Sequence, residues 1–149
     1  MRSATFVAFL FLATTLISCG GQKAATQSSQ DSYLVDARTI MDEFRKSYRR
    51  LFALTREPDF SVPWRGALAD EVIRQRDLSQ QFRALDPPAA YEAAHTKVEE
   101  ALDTFDKSEA LLLEAANERD MEKFAEAGRL ASGGEHSLEE AGNLLARKP

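Results

Sequence analysis

The groups in this chain whose types and spacing could build a reactive centre are histidine and carboxylate side chains. Glu92-Ala93-Ala94-His95 sets a carboxylate and an imidazole three residues apart. On a helix they share one face, the spacing by which two-metal centres in helical bundles draw two ligands from one helix. Such a centre needs a second Glu-x-x-His pair. The other histidine, His136, has Gly133 three residues before it, so half of the ligand set is missing. Three more polar residues, Gln75, Glu109 and Glu135, fall on stripes that are otherwise apolar. A buried carboxylate must be paired or neutral. If the chain turns tightly near residues 86–87 and 117–118, Gln75 lies level with about residue 98 and Glu135 with about residue 100. Gln75, His95, Glu99 and Glu135 then share one layer. The expectation is a hydrogen-bonded polar layer, and its rival is a single cation site built from His95, Glu99 and Glu135. Nucleophilic hydrolysis finds no support, since Gly-x-Ser-x-Gly is absent, there is one cysteine, and no histidine stands beside a candidate nucleophile. Cys-x-x-Cys-His and a glycine-rich phosphate loop are absent as well. The expectation is therefore no catalytic residue and no cofactor.

The single cysteine, Cys19, closes a different pattern. Arg2 supplies a positive charge, Ala4 to Ile17 is apolar apart from threonine hydroxyls, and Ser18 is a small residue before the thiol. This is the charged start, apolar run and small-residue cut of an export signal. It is shorter than the roughly 20 residues that a membrane-spanning helix needs. Leu16-Ile17-Ser18-Cys19 resembles the lipobox of bacterial lipoproteins. The resemblance covers the first 19 residues and implies cleavage before Cys19, diacylglycerol on its thiol and acylation of its new amino group. It also implies an extracytoplasmic, lipid-anchored address. Gly20 stands where an aspartate retains such proteins at an inner membrane, which favours the outer membrane in a host with two.

Residues 1–18 thus read as a signal peptide, 19–30 as the lipidated cysteine with a flexible tether, and 31–149 as the folded domain. Loss of Arg2 leaves 18 Lys and Arg against 24 Asp and Glu, a formal charge of −6. An acidic domain disfavours nucleic acid as a partner, because phosphate binding needs a basic surface. Membrane attachment falls to the lipid rather than to a basic patch. No disulfide framework is available, so stability must come from packing.

The elements that position the polar layer follow from apolar spacing. Gly20 to Gln30 is small and polar, a coil with a reach of roughly 20 Å. Tyr33, Ala37, Ile40, Phe44, Tyr48 and Leu51 recur at three and four, which predicts a helix over residues 32–56. Its Arg38, Arg45, Lys46, Arg49 and Arg50 are expected on a solvated face. Pro58 and Pro63 bound a loop whose Phe60 and Val62, with Trp64 beyond it, are expected to fold back over one end of the core. A hydrophobic patch for a partner is the alternative. Leu68, Val72, Gln75, Ser79 and Phe82 mark a helix over 64–85, ended by Asp86-Pro87-Pro88. Tyr91, Ala94, Val98, Leu102, Phe105 and Leu112 mark one over 88–116. Phe124, Ala127, Ala131, Leu138 and Ala141 mark a fourth over 120–146, continuous through Gly133-Gly134 because the apolar period resumes in phase. Four helices with short connections predict an all-α, antiparallel up-down-up-down four-helix bundle.

Leu85-Asp86-Pro87-Pro88, with Tyr91, His95, Leu102, Asp120 and the Ala-rich tail, resembles the C-terminal half of small helical surface lipoproteins of bacteria, over residues 85–146. That group has no assigned activity, so the resemblance implies fold and address alone. The functional expectation is a non-catalytic binding module at the cell envelope. It would be held to the membrane by lipid on Cys19 and would contact an envelope protein or a small ligand. The rivals are a metal-binding bundle using His95, Glu99 and Glu135, and a purely structural spacer.

Overall fold

The computed structural model describes residues 21–146, with side chains over 30–144. Cys19 and the signal sequence lie outside the described residues. The chain forms an all-α four-helix bundle, with α1 at Gly21–Thr55, α2 at Val62–Arg83, α3 at Glu92–Glu118 and α4 at Met121–Ala146. Among the described residues no helix is long and apolar enough to cross a membrane.

Cross-helix bonds set the directions. Residue numbers rise on α1 as they fall on α2, where Trp64 Nε1 donates to the Leu54 carbonyl and Ser47 Oγ to Glu71 Oε2. Arg76–Glu109 and Arg83–Asp103 show the same reversal between α2 and α3. Tyr33–His95 and Phe44–Phe105 keep a nearly constant offset, so α1 and α3 run parallel across the diagonal. α3 packs closely on α4 and α1 on α2, while α1 and α4 do not approach closely. The bundle is therefore open along its α1–α4 seam.

The helix ends have identifiable causes. Pro58 has no amide hydrogen to continue α1. The Ser61 hydroxyl caps α2 by accepting from Trp64 N at 3.2 Å, and Asp59 Oδ1 fixes the turn before it. Arg119 ends α3 in the left-handed region (φ 58°), and Asp120 Oδ1 then accepts from the amides of Glu122 and Lys123 to start α4.

Two boundaries differ from expectation. The stretch expected as a flexible tether is helical from Gly21 onward. It contains Gln22, Lys23, Ala24 and Ala25 and no proline, so extending a helix already nucleated by the buried stripe costs little. After Arg83 the chain passes through Asp86-Pro87-Pro88 and a 3-10 turn at Ala89–Tyr91 before α3 begins at Glu92. This longer connection carries α3 out beyond the end of α2 and changes the level at which their side chains meet.

The core is divided lengthwise. One apolar cluster contains Tyr33, Phe44, Phe82, Leu102 and Phe105. The other contains Leu51, Trp64, Leu68, Val72, Leu112 and Phe124. Along the sequence, the buried polar residues Ser47, Gln75, Ser79, Ser108 and Glu109 fall between their members on α1, α2 and α3. The apolar clusters stabilise the fold, at about 1.5–3 kcal/mol for each large side chain buried. The polar layer between them subtracts from that total unless its groups are bonded.

Candidate functional site

The four residues expected in one layer divide between two levels. His95 is buried near the start of α3, stacked on Phe82 with ring centroids 4.7 Å apart. Its Nδ1 lies 3.1 Å from the Tyr33 hydroxyl and its Nε2 3.6 Å from Glu99 Oε1. Burial first, and then the Glu99 carboxylate, raise the Tyr33 hydroxyl above its ordinary range. Glu135 is exposed on α4 and sits beside Tyr48 instead. Among the described residues no three His, Cys, Asp or Glu side chains are placed to hold one ion, so the cation site from His95, Glu99 and Glu135 is not formed. The cause is register. Because α3 starts farther out than a tight turn would place it, Arg76, next to Gln75, meets Glu109 and not a residue near 97. Glu92 and His136 are both exposed, and His136 faces Glu140 of its own helix at 3.6 Å.

Gln75, Glu109 and Glu135 do come together. They line one depression of ≈ 410 Å³ in the open seam between α1 and α4. Its walls are Leu51 and Phe52 from α1, Phe105, Ser108 and Leu112 from α3, and the small residues Ala127, Gly128 and Ala131 from α4. A second depression of ≈ 670 Å³ continues along the seam past Phe44, Arg45, Leu138 and Gly142, sharing Tyr48, Arg49, Phe105 and Glu135 with the first. The seam is a groove because α4 presents Gly and Ala where α1 would need larger partners. Phe52 is left 56 % exposed at its edge.

Phe105 forms the floor where the two depressions meet. Phe44 and Tyr48 pack edge-on against it at 5.2 and 5.3 Å. Gly134 makes room on the opposite side, where a Cβ would lie 2.9 Å from the Phe105 ring. α4 thus runs unbroken through Gly133-Gly134, as expected, and the second of these glycines serves a close approach.

Comparison with protein-family models, curated proteins and solved structures finds no match to this chain. The groove must be understood from its own chemistry.

Its inner wall holds polar groups without protein partners. Gln75 is 0 % exposed, and neither atom of its amide makes a hydrogen bond to the protein. Glu109 is 2 % exposed; its Oε2 accepts from Arg76 Nε at 3.3 Å, while Oε1 has no protein partner. Burial first, and then the nearby Asp106 carboxylate, push the Glu109 carboxyl up to about 8 against the opposing pull of Arg76. Ser108 is satisfied, donating to the Ala127 carbonyl at 2.8 Å. Tyr48 at the rim is pushed up to about 12 by burial and by Glu135. The unpartnered atoms of Gln75 and Glu109 lie just beneath the apolar lining, each with under 1 Å² of accessible surface.

The other expected surfaces are quieter. The basic residues of α1 are largely paired: Arg45 with Asp42 at 3.1 Å, Lys46 with Glu43 at 2.6 Å and Arg50 with Glu71 at 2.8 Å. Phe60 and Trp64 do fold back, 5.5 Å apart and packing with Phe124 at centroid distances of 5.8 and 5.9 Å, while Val62 stays 73 % exposed. Sequence reasoning missed Phe52 and Ser108 as parts of the groove. The usable signal was the interruption of the apolar stripes of α2, α3 and α4 by Gln75, Glu109 and Glu135.

Proposed function

We propose that this chain is a non-catalytic binding module, lipid-anchored through Cys19 on the outer side of a bacterial membrane, that uses the α1–α4 groove for recognition. The observation that carries the reading is the pair Gln75 and Glu109: deeply buried, short of protein partners and lining an open apolar groove. A polar group held this way costs roughly 1–3 kcal/mol. Lipidation at Cys19 is supported by the charged start, apolar run and Leu16-Ile17-Ser18 that precede it. Two or three acyl chains hold a protein stably at a surface, and confinement there raises its effective concentration toward neighbours.

Two measurements test this. Cys19→Ser should move the protein from the membrane to the soluble fraction; continued membrane fractionation overturns the anchor. A photocrosslinking phenylalanine analogue at Phe52, in intact membranes, should capture a defined species that the same probe at Ile73 does not. Ile73 is equally exposed, at 58 %, and lies on α2. Identical captures at both positions overturn recognition by the groove.

A further inference from the structure

The two walls of the open seam carry opposite charge. Of the exposed charged residues that line the groove, α1 contributes Arg45 and Arg49, and α4 contributes Glu135 and Glu139. Their levels match. Tyr48 sits beside Glu135, and residue numbers rise along α1 as they fall along α4. Arg49 is therefore close to the level of Glu135, and Arg45, one turn away, is close to that of Glu139. These charges are not used up across the seam. Among the described residues, the ion pairs of α1 stay on α1 or reach α2, and those of α4 stay on α4 or reach α3. Side-chain size is sorted in the same way. One turn beyond Tyr48, α1 projects Phe52, 56 % exposed, and α4 presents Gly128 and Ala131 near that level. A Cβ added at Gly128 meets nothing within 4 Å.

We infer that the α1–α4 seam is the interface between two copies of this chain, related by a two-fold axis parallel to the helices, with Phe52 of each copy seated over Gly128 and Ala131 of the other. This rests on the proposed role of the groove in recognition and names its partner. Such an axis brings α1 of one copy over α4 of the other without a change of level. Arg45 and Arg49 then meet Glu139 and Glu135 on both sides of the pair. A two-fold axis across the helices would set α1 on α1 and α4 on α4, arginine against arginine and glutamate against glutamate. The parallel axis also leaves the Gly21 ends of both α1 helices at the same end of the pair, as two anchors in one membrane surface require. The face runs about 24 Å along α4 and is two helices wide, on the order of 500 Å² per copy. A pair then buries on the order of 1,000 Å², the low end for a specific interface. Confinement to a membrane surface raises the effective concentration that such a contact needs.

The test uses the full chain in intact membranes, with the photocrosslinking phenylalanine analogue at Phe52. The expected product has twice the mass of the chain and joins position 52 of one copy to the Ala127–Ser132 stretch of the other. The probe at Ile73 should not form it. Charge exchange then separates contact between chains from contact within one. Arg49→Glu sets a carboxylate against Glu135 at both contacts, and Glu135→Arg sets a guanidinium against Arg49. Each alone should cut the product about 10-fold or more. Made together in one cell, the two variants should restore it as a mixed pair, because one chain is then acidic at both positions and the other basic at both. Both substitutions fall at exposed positions, and recovery in the mixed pair shows that each variant is folded. If the probe at Phe52 captures a different protein that Ile73 does not, the second copy falls while recognition by the groove stands. Identical captures at the two positions remove both. No doubled product, a product joining α1 to α1, full yield from either single variant or no recovery in the mixed pair also overturns the assignment.

Discussion

Two regions of the bundle bury polar atoms on the same helix, and they treat them in opposite ways. Near the start of α2, Trp64 is 8 % exposed and its Nε1 donates to the Leu54 carbonyl at 3.0 Å, with Phe60 and Phe124 packed around the ring. Three turns along, Gln75 is buried completely, and its amide has no partner in the protein. The first region closes an end of the core and satisfies what it buries. The second lies beside an open seam and leaves bonding capacity unused. A polar group that is buried and bonded indicates stability, whereas one that is buried, unbonded and next to a groove indicates a destination for something else.

The sharpest way to break this contrast is to remove the closed end. Trp64→Ala should cost about 3–5 kcal/mol, because it deletes a large buried side chain and frees the Leu54 carbonyl. Chemical denaturation measures it directly. A loss below about 1 kcal/mol would mean that the aromatic plug is not part of the core.

The open region should reveal itself through pH. Glu109 holds its proton up to about pH 8 in the folded chain, while an ordinary glutamate loses it near 4.5. Between these values the native state binds more protons than the unfolded state. Stability is therefore fully present below pH 4.5 and falls as pH rises toward 8. The expected loss is on the order of 3 kcal/mol between pH 5 and pH 8. Glu109→Gln keeps the shape, removes the titration and should flatten this part of the profile. An equally steep fall in the variant would assign the effect to other groups.

How far the sequence discloses this arrangement depends on the kind of information each part needs. The four helices and their buried faces follow from residues such as Leu68, Val72 and Phe82, whose spacing is a property of one helix alone. Gln75, Glu109 and Glu135 stand out for the same reason, as polar residues on apolar stripes. Which of them meet depends on levels between helices, and levels depend on the shape of the connections. The segment from Ala84 to Tyr91 contains two prolines and a 3-10 turn, and no periodicity states how far it carries the chain. For that reason His95 and Glu99 are expected beside Gln75, and Glu109 takes their place. The open seam is harder still to see. It arises from Ala127, Gly128 and Ala131 facing α1, and small residues on a helix are equally consistent with close packing. The helical start at Gly21 is invisible to a search for amphipathic period, since those residues have none.

The glycines of α4 separate close packing from open space on one helix. Gly134→Ala puts a Cβ at 2.9 Å from the Phe105 ring, which Phe44 and Tyr48 hold in place, so the ring cannot yield freely. The expected loss is about 2 kcal/mol. Gly128→Ala meets nothing within 4 Å and should gain about 0.5–1 kcal/mol from helix propensity. Thermal melts of the pair decide the point. Changes of the same sign would remove the distinction between the filled and the open side of α4.

The smallest effect bears most directly on the contrast between the two regions. Methionine matches the unbranched length of glutamine and carries no strong hydrogen-bonding group. At a position whose amide was bonded, Gln75→Met would be destabilising. Here both amide atoms are buried without protein partners, so the substitution removes a desolvation cost and no protein hydrogen bond. The chain should become more stable by about 1 kcal/mol. Affinity for any ligand that uses the Gln75 amide should fall in the same variant. Gain of stability with loss of binding is the signature of a residue kept for recognition. Trp64, bonded and packed at the other end of α2, should show no such trade. If Gln75→Met destabilises the chain, Gln75 is bonded within the fold in solution, and the two regions differ in depth alone.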